Sequence, residues 1–112
     1  NNQRGYVQVQ TFDEESEVWK LVGDTIFGES PVDEYGRVVS LSFDGTRLAI
    51  GSPSGAVSYV QVLKLAGSEW ELMGRFESAN PASSMFGRGV SMTSLSTSVR
   101  NVTTVAIGDP FH

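Results

Sequence analysis

The residues able to carry catalysis are few in this chain of 112 residues. A serine hydrolase uses a histidine that packing holds beside the nucleophilic serine. The single histidine is His112, the last residue of the sequence, where we expect it to be a bystander. The histidine content therefore does not favour a hydrolase of this kind.

Acidic residues offer a second kind of chemistry, because hydrolysis of a glycosidic bond needs two carboxyl groups that flank the bond. Asp44 precedes a glycine, a pair typical of turns, and we expect the other acidic candidates to be solvated loop charges. The four candidates are Asp24, Glu29, Asp33 and Asp44. On these grounds the sequence predicts a protein that is not an enzyme.

Composition restricts the partners of the chain. The net charge is −5, and an acidic surface repels nucleic acid and anionic membranes. The absence of cysteine excludes disulfides, thiolate nucleophiles and zinc–cysteine sites. No apolar run approaches the roughly 18 residues that a membrane-spanning helix needs. We therefore expect neither nucleic-acid binding nor membrane insertion.

The elements that hold these side chains come from an internal repeat, which is the first feature to seek in such a chain. Trp19 and Trp70 are 51 residues apart. Further pairs of like residues follow at the same offset or a slightly larger one. These pairs are Tyr35 and Phe86, Gly36 and Gly87, Ala49 and Ala106, and Ile50 and Ile107.

The segment "YVQV" at 6–9 recurs at 59–62, an offset of 53 residues. The offset therefore changes along the chain, which indicates insertions in loops. It reaches 57 residues at the two Ala-Ile pairs, and we assign the additional residues to a longer Ser/Thr loop within 93–104. The chain is then two propeller repeats, 1–53 and 54–112. Joined head to tail, the chain ends resemble the junction between the repeats, which predicts a circularly permuted, split-blade unit cut after Pro110.

Each repeat is expected to form four short strands. Apolar and β-branched residues alternate in segments such as "YVQVLKL" (59–65), and glycine or proline bounds these segments. No segment keeps the helical period over about ten residues. Asp44-Gly45 is expected to form a type I′ hairpin turn, with both residues at positive φ. The predicted fold class is all-β.

Four antiparallel strands in about 50 residues are typical of a propeller blade. We therefore predict two four-stranded blades within a larger or oligomeric propeller, because two blades alone leave apolar faces and sheet edges exposed. The tryptophans are assigned to the core between blades, with stacking on sugar rings as the alternative. The predicted repeat core is Trp19, Trp70, Tyr35, Phe86, Gly36, Gly87, Ala49, Ile50, Ala106 and Ile107.

Two arginines, Arg37 and Arg88, also recur at the same repeat position. We favour ion pairs between them and the carboxylates of a neighbouring blade. The alternative is that both arginines line one propeller face and contact a ligand there.

In combination, these blocks resemble the FG-GAP type of β-propeller repeat, which integrin alpha chains carry. They look closest to the tandem-repeat surface proteins of algae. The Phe-Gly pair of the family corresponds to Tyr35-Gly36 and to Phe86-Gly87, and its Gly-Ala-Pro element to 51–53 and 108–110. The likeness covers essentially the whole chain.

The resemblance implies a secreted or cell-surface protein that binds proteins or glycans through loops on one propeller face, without catalysis. We accordingly expect an extracellular adhesion or scaffold module whose partners include further blades of the same or a longer chain. The alternatives are a structural repeat of a filament or cell-surface layer, and a fragment of a propeller enzyme that acts on polysaccharide. Asn101 begins a glycosylation sequon, which applies to a secreted chain.

Integrin-type blades often bind calcium through alternating acidic oxygens in a loop, so the resemblance raises this cofactor. Asp13, Glu15 and Glu17 alternate but lack the glycine that turns such a loop, and Asp33 and Glu34 are merely adjacent. We therefore expect no cofactor, with calcium as the alternative.

Overall fold

The computed structural model describes residues 4–30, 34–53, 58–78, 89–96 and 101–108. These residues form strands and turns without any helix, so the all-β prediction is confirmed. The strands of this described part are β1 (Tyr6–Val7), β2 (Gln10–Asp13), β3 (Val18–Leu21), β4 (Ile26–Phe27), β5 (Val38–Leu41), β6 (Arg47–Ser52), β7 (Tyr59–Ala66), β8 (Glu69–Glu77), β9 (Gly89–Ser96) and β10 (Asn101–Gly108).

The central element is a four-stranded antiparallel sheet in the order β5-β6-β7-β8. Its first two strands come from repeat 1–53 and its last two from repeat 54–112, so the sheet crosses the repeat boundary. This grouping differs from the expectation that each repeat makes its own sheet. A short connection separates β6 from β7. This length is sufficient, because antiparallel neighbours can be joined by a tight turn.

Smaller sheets lie on either side of the central sheet. On one side, β1 pairs with β4 and β2 pairs with β3. On the other, β9 pairs with β10 over eight residue pairs. Each of these pairs is antiparallel, and together the described strands form one four-stranded and three two-stranded sheets.

The sequence repeat is reproduced in the strand registers. In the β5–β6 hairpin Val39 faces Ile50, and in the β9–β10 hairpin their repeat equivalents Val90 and Ile107 face each other. The two hairpins therefore have the same register, although β9–β10 belongs to the other repeat.

The outer hairpins agree in the same way. Trp19 faces Phe12 across β2–β3, and Trp70 faces Leu65 across β7–β8. Leu65 is the residue that the repeat makes equivalent to Phe12. The agreement in register ends between Leu63 and Val62, where β7–β8 contains a register shift typical of a β-bulge.

The core lies on both faces of the central sheet, because successive residues of a strand point to opposite faces. Ile50 and Ala49, both fully buried, belong to two different clusters. The first cluster joins Leu48, Ile50, Tyr59 and Leu63 to Val7, Val9 and Tyr35. The second joins Ala49 and Val62 to Met92, with Val90 and Val105 packed against it.

The turn between β5 and β6 forms where it was predicted, but its type is different. Gly45 has a φ of 77°, whereas Asp44 is not among the residues with positive φ. The Gly45 N–H donates to the Ser42 carbonyl over 3.0 Å. Because only Gly45 adopts a positive φ, the type I′ prediction is wrong, and the geometry is a type I turn followed by glycine.

The inserted residues in the second repeat also behave differently from the prediction of a long loop. Strands β9 and β10 continue to Ser96 and from Asn101, so most of 93–104 is strand. The segment is rich in threonine, serine and valine, and β-branched residues favour strands. The insertion therefore lengthens the hairpin.

Asp44 stabilises its turn through its carboxylate. Oδ1 accepts hydrogen bonds from Thr46 Oγ1 at 2.8 Å, from Thr46 N at 3.0 Å and from Ser42 Oγ at 2.8 Å. The bonds from Thr46 and then that from Ser42 hold the pKa of Asp44 below its ordinary value of 3.8, because they favour the ionised form.

We expect Asp44→Ala to lower the melting temperature near neutral pH, where the carboxylate is ionised. The difference from wild type should shrink as the pH falls through the lowered pKa, because protonation removes the same contribution. Circular dichroism melts at a series of pH values measure this. Asp24→Ala, which removes an exposed carboxylate before β4, is the control, and an equal effect there would contradict the assignment.

Candidate interaction surfaces

One exposed apolar surface covers the outer side of the sheets β1–β4 and β2–β3; we call it the aromatic face. Phe12 and Trp19 contact each other there with ring centroids 5.4 Å apart, and Tyr6 and Phe27 do so at 6.2 Å. Val7 and Val9 point the other way, into the core. The aromatic face consists of Tyr6, Phe12, Trp19, Leu21 and Phe27, all exposed.

Two repeat equivalents of these residues, Tyr59 and Trp70, are covered by a neighbouring sheet. Tyr59 is 1% exposed, whereas its equivalent Tyr6 is 59% exposed. Trp70 packs against the first core cluster, and its indole Nε1 donates to the Val22 carbonyl at 2.9 Å. The sheets β1–β4 and β2–β3 provide this cover. The exposure of a repeat position thus depends on whether a neighbouring sheet covers it.

The two tryptophans illustrate the difference. The structure packs Trp70 against the first core cluster but leaves Trp19 65% exposed. Within the described chain, Trp19 contacts Phe12 on the aromatic face. Its assignment to a core between blades stays a prediction.

A glycine makes room for Trp70. Gly23 has a φ of 74°, and a Cβ atom built there would lie 2.6 Å from the Trp70 indole nitrogen. Its repeat equivalent, Gly74, has free space, with the nearest side-chain atoms of Phe76 at 3.8 Å. The seating of a tryptophan therefore explains the glycine in the first repeat.

A second surface is a groove of about 750 Å³ between the β7–β8 hairpin and β10. Its floor and walls are mostly apolar, and Val62 at its base belongs to the second core cluster. Ile107, one of the predicted core residues, is half-buried there, whereas Ala106 is exposed. The groove residues used below are Val62, Met73, Phe76, Val105 and Ile107.

The Phe-Gly position of the first repeat is structural. Tyr35 is buried, and its hydroxyl donates to Gln61 Oε1 over 2.7 Å, so burial raises the pKa of this phenol. Gly36 has a φ of 87°, and a Cβ there would lie 2.9 Å from Val7. The equivalents Phe86 and Gly87 lie outside the described residues.

An arginine that the sequence did not single out makes the contacts between segments. Arg75 Nη1 lies 2.7 Å from Glu29 and its Nε 3.0 Å from Glu77. Its guanidinium carbon lies 3.9 Å from the centroid of the Tyr59 ring, within reach of a cation–π interaction. Neither repetition nor spacing marks Arg75, and only the sheet arrangement brings these partners together.

Arg37, one of the two arginines that recur in the repeat, makes a local ion pair instead. Arg37 pairs with Glu34, three residues before it in the same turn, at 3.0 Å. The favoured prediction of a carboxylate from a neighbouring blade is therefore not what Arg37 shows here. Arg88 lies outside the described residues.

The acidic turn at Asp13 is satisfied by protein groups. Its carboxylate lies 2.9 Å from Lys20 Nζ and accepts hydrogen bonds from Ser16 Oγ and the Glu15 N–H. The Lys20 contact is the main cause that lowers the pKa of Asp13. Glu17 has a φ of 58°, in the left-handed region that favours glycine. No cluster of three or more candidate metal ligands occurs among the described residues.

The carboxylates considered for glycosidic chemistry are engaged separately. Glu29 pairs with Arg75, and Asp44 is held within its turn. Asp24 lines a cleft of about 240 Å³ with Glu69 and Trp70. Asp33 and His112 lie outside the described residues. The arrangement therefore does not assemble the described candidates into one reaction centre.

Asn101 is the first residue of β10, and its backbone is paired with Ser96. In the described part of the chain, no helix is long and apolar enough to cross a membrane. Comparison with known proteins finds no match to a family model, to a curated protein or to a solved structure. Membership of the FG-GAP family stays a prediction.

Gly23→Ala should destabilise the fold by more than about 1 kcal/mol, since alanine is strained at positive φ and its Cβ displaces Trp70. Gly74→Ala, the matched change at the equivalent position, should have a small effect. Urea unfolding followed by tryptophan fluorescence measures both variants. Equal losses would contradict the role that we give to the Gly23–Trp70 contact.

Proposed function

We propose that this chain is a non-enzymatic β-propeller module of an extracellular or cell-surface scaffold. It assembles with further blades and binds protein or glycan through loops on one face. The observation that carries the proposal is the equality of register between equivalent hairpins of the two repeats. One supersecondary unit that recurs in this way is the basis of propeller architecture.

The shape of the central sheet supports the blade interpretation. Strand length increases across the sheet from four residues in β5 to six in β6, eight in β7 and nine in β8. A sheet that widens from one edge to the other fits around an axis, with β5 innermost. The position of β9 is consistent with this arrangement, because the Met92 N–H of β9 donates to Ser40 Oγ of β5 over 3.2 Å. Strands β5 and β9 therefore lie beside each other.

The covering of the sheet on both faces also supports this interpretation. Val7 and Val9 cover one face, and Met92 with Val105 covers the other. A blade within a ring has a neighbouring blade on each face, whereas a free antiparallel sheet commonly leaves one face to solvent.

One end of the sheets carries the hairpin turns that we propose for ligand binding. The β5–β6 and β7–β8 turns share this end of the central sheet, because each connects an outgoing strand to the returning strand beside it. We assign their repeat equivalents, the hairpins β9–β10 and β2–β3, to the same end. Phe43 at the tip of the β5–β6 turn is fully exposed. An exposed aromatic ring on a turn suits contact with a sugar ring or an apolar peptide side chain.

A binding role agrees better than hydrolysis with Glu29 and Asp44, which are engaged in an ion pair and in a turn. The extracellular location is proposed from the family resemblance and from the sequon at Asn101. Both the glycan and the protein classes of ligand remain within the proposal.

The test is a glycan array probed with the labelled protein, together with two variants of the turn end. Phe43→Ser and a β9–β10 hairpin shortened by residues 94–99 and 102–103 should each reduce bound signal about tenfold, the equivalent of roughly 1.4 kcal/mol. Phe43→Tyr keeps the ring and should retain binding. Binding that survives all of these changes would overturn the assignment of this face.

A further inference from the structure

We infer that copies of this chain associate head to tail, the aromatic face of one copy filling the groove of the next. In this contact the Tyr6–Asp13 segment of one copy adds to the outer edge of β10 in the other. The inference rests on the proposed function, since it names a second copy as the partner that supplies the neighbouring blade.

The template for this contact lies inside the chain. Strand β6 pairs with β7, and the hairpin β7–β8 places Trp70 against Val22 of the preceding sheets. In the repeat, β10 is the equivalent of β6, and the Tyr6–Asp13 segment is the equivalent of β7. Among the described strands, β10 is bonded to β9 alone. A second copy would give β10 the partner that β6 has.

The repeat also fixes the register of the added strand. Within the central sheet Arg47 faces Lys64, and Ala49 faces Val62. The same alignment transferred to the two equivalents places Thr104 opposite Thr11 of the second copy, and Ala106 opposite Val9. A shift by one residue would turn every side chain to the wrong face.

The two surfaces are chemically matched. The aromatic face presents Trp19 and Phe12 to solvent, and the groove presents Phe76 and Ile107. Exposed apolar patches of this kind mark interaction sites. Inside the chain Tyr59 and Trp70, the equivalents of Tyr6 and Trp19, are covered by a sheet, so the repeat already contains one example of the contact.

The two surfaces are different, so the contact is heterologous and each copy offers one of each. Such contacts generate a ring when the rotation closes and a filament when it does not. A ring predicts one discrete oligomer, whereas a filament predicts species whose size grows with protein concentration.

Cysteine cross-linking tests the register in the full chain, which has no native cysteine. Thr11→Cys and Thr104→Cys replace exposed residues. When the two proteins are mixed under mild oxidation, a cross-linked dimer should form about tenfold faster than with Thr104→Cys and Gln10→Cys, whose side chains point to opposite faces. Equal rates for the two mixtures, or no cross-link, would overturn the inference.

Complementary variants test the head-to-tail mode. Trp19→Asp damages the aromatic face, and Phe76→Asp damages the groove. Sedimentation velocity should show wild-type oligomers and a monomer for each variant. An equal mixture of the two variants should contain dimers, because one intact groove meets one intact aromatic face. Monomers in that mixture, or a monomeric wild type, would overturn the inference, and circular dichroism checks that both variants are folded.

The glycan array separates this inference from the proposed function. If cross-linking fails while Phe43-dependent glycan binding persists, the self-association alone is wrong. If cross-linking occurs in register while the array shows no binding, the ligand-binding proposal alone is wrong.

Discussion

Strand β6 is buried on both faces, and this double burial is the constraint on which the remaining arrangement depends. Leu48 and Ile50 enter one core cluster while Ala49 enters the other. A strand covered on both sides cannot alternate apolar with polar residues, and the run from Leu48 to Gly51 contains none that is charged. Burial of a side chain such as Ile50 contributes about 1.5–3 kcal/mol, which requires a neighbouring sheet on each face.

The two neighbours meet β6 through side chains of different size. Large residues lie towards the sheets β1–β4 and β2–β3, where Tyr35 and Trp70 also enter the interface and each finds a hydrogen-bond acceptor. Buried Tyr and Trp usually need such a partner for their polar atoms. On the other face the small Ala49 lets β9 and β10 approach. The two neighbouring sheets are therefore not interchangeable, because each contacts a different face of β6 through side chains of different size.

The alternation of apolar residues predicted the all-β class, and the repeat spacing predicted which residues are equivalent in the two copies. The repeat spacing could not predict which copy has a neighbouring sheet packed on it. It therefore treated Trp19 and Trp70 alike, although their exposure differs widely. The turn at Asp44 was predicted in place but not in type, since an Asp-Gly pair suits more than one turn. Arg75 was missed because its partners Glu29 and Tyr59 are distant in sequence and meet only through the sheets.

The lengthened β9–β10 hairpin has a geometric consequence. Its ladder has eight residue pairs against four in β5–β6, so at roughly 3.3 Å per residue this ladder is about 13 Å longer. Long and short hairpins would alternate along any array of these units. A long polymer bound along this end of the array would then contact the longer hairpins at every second position. A polymer whose own repeat matches that wider spacing would be the better ligand.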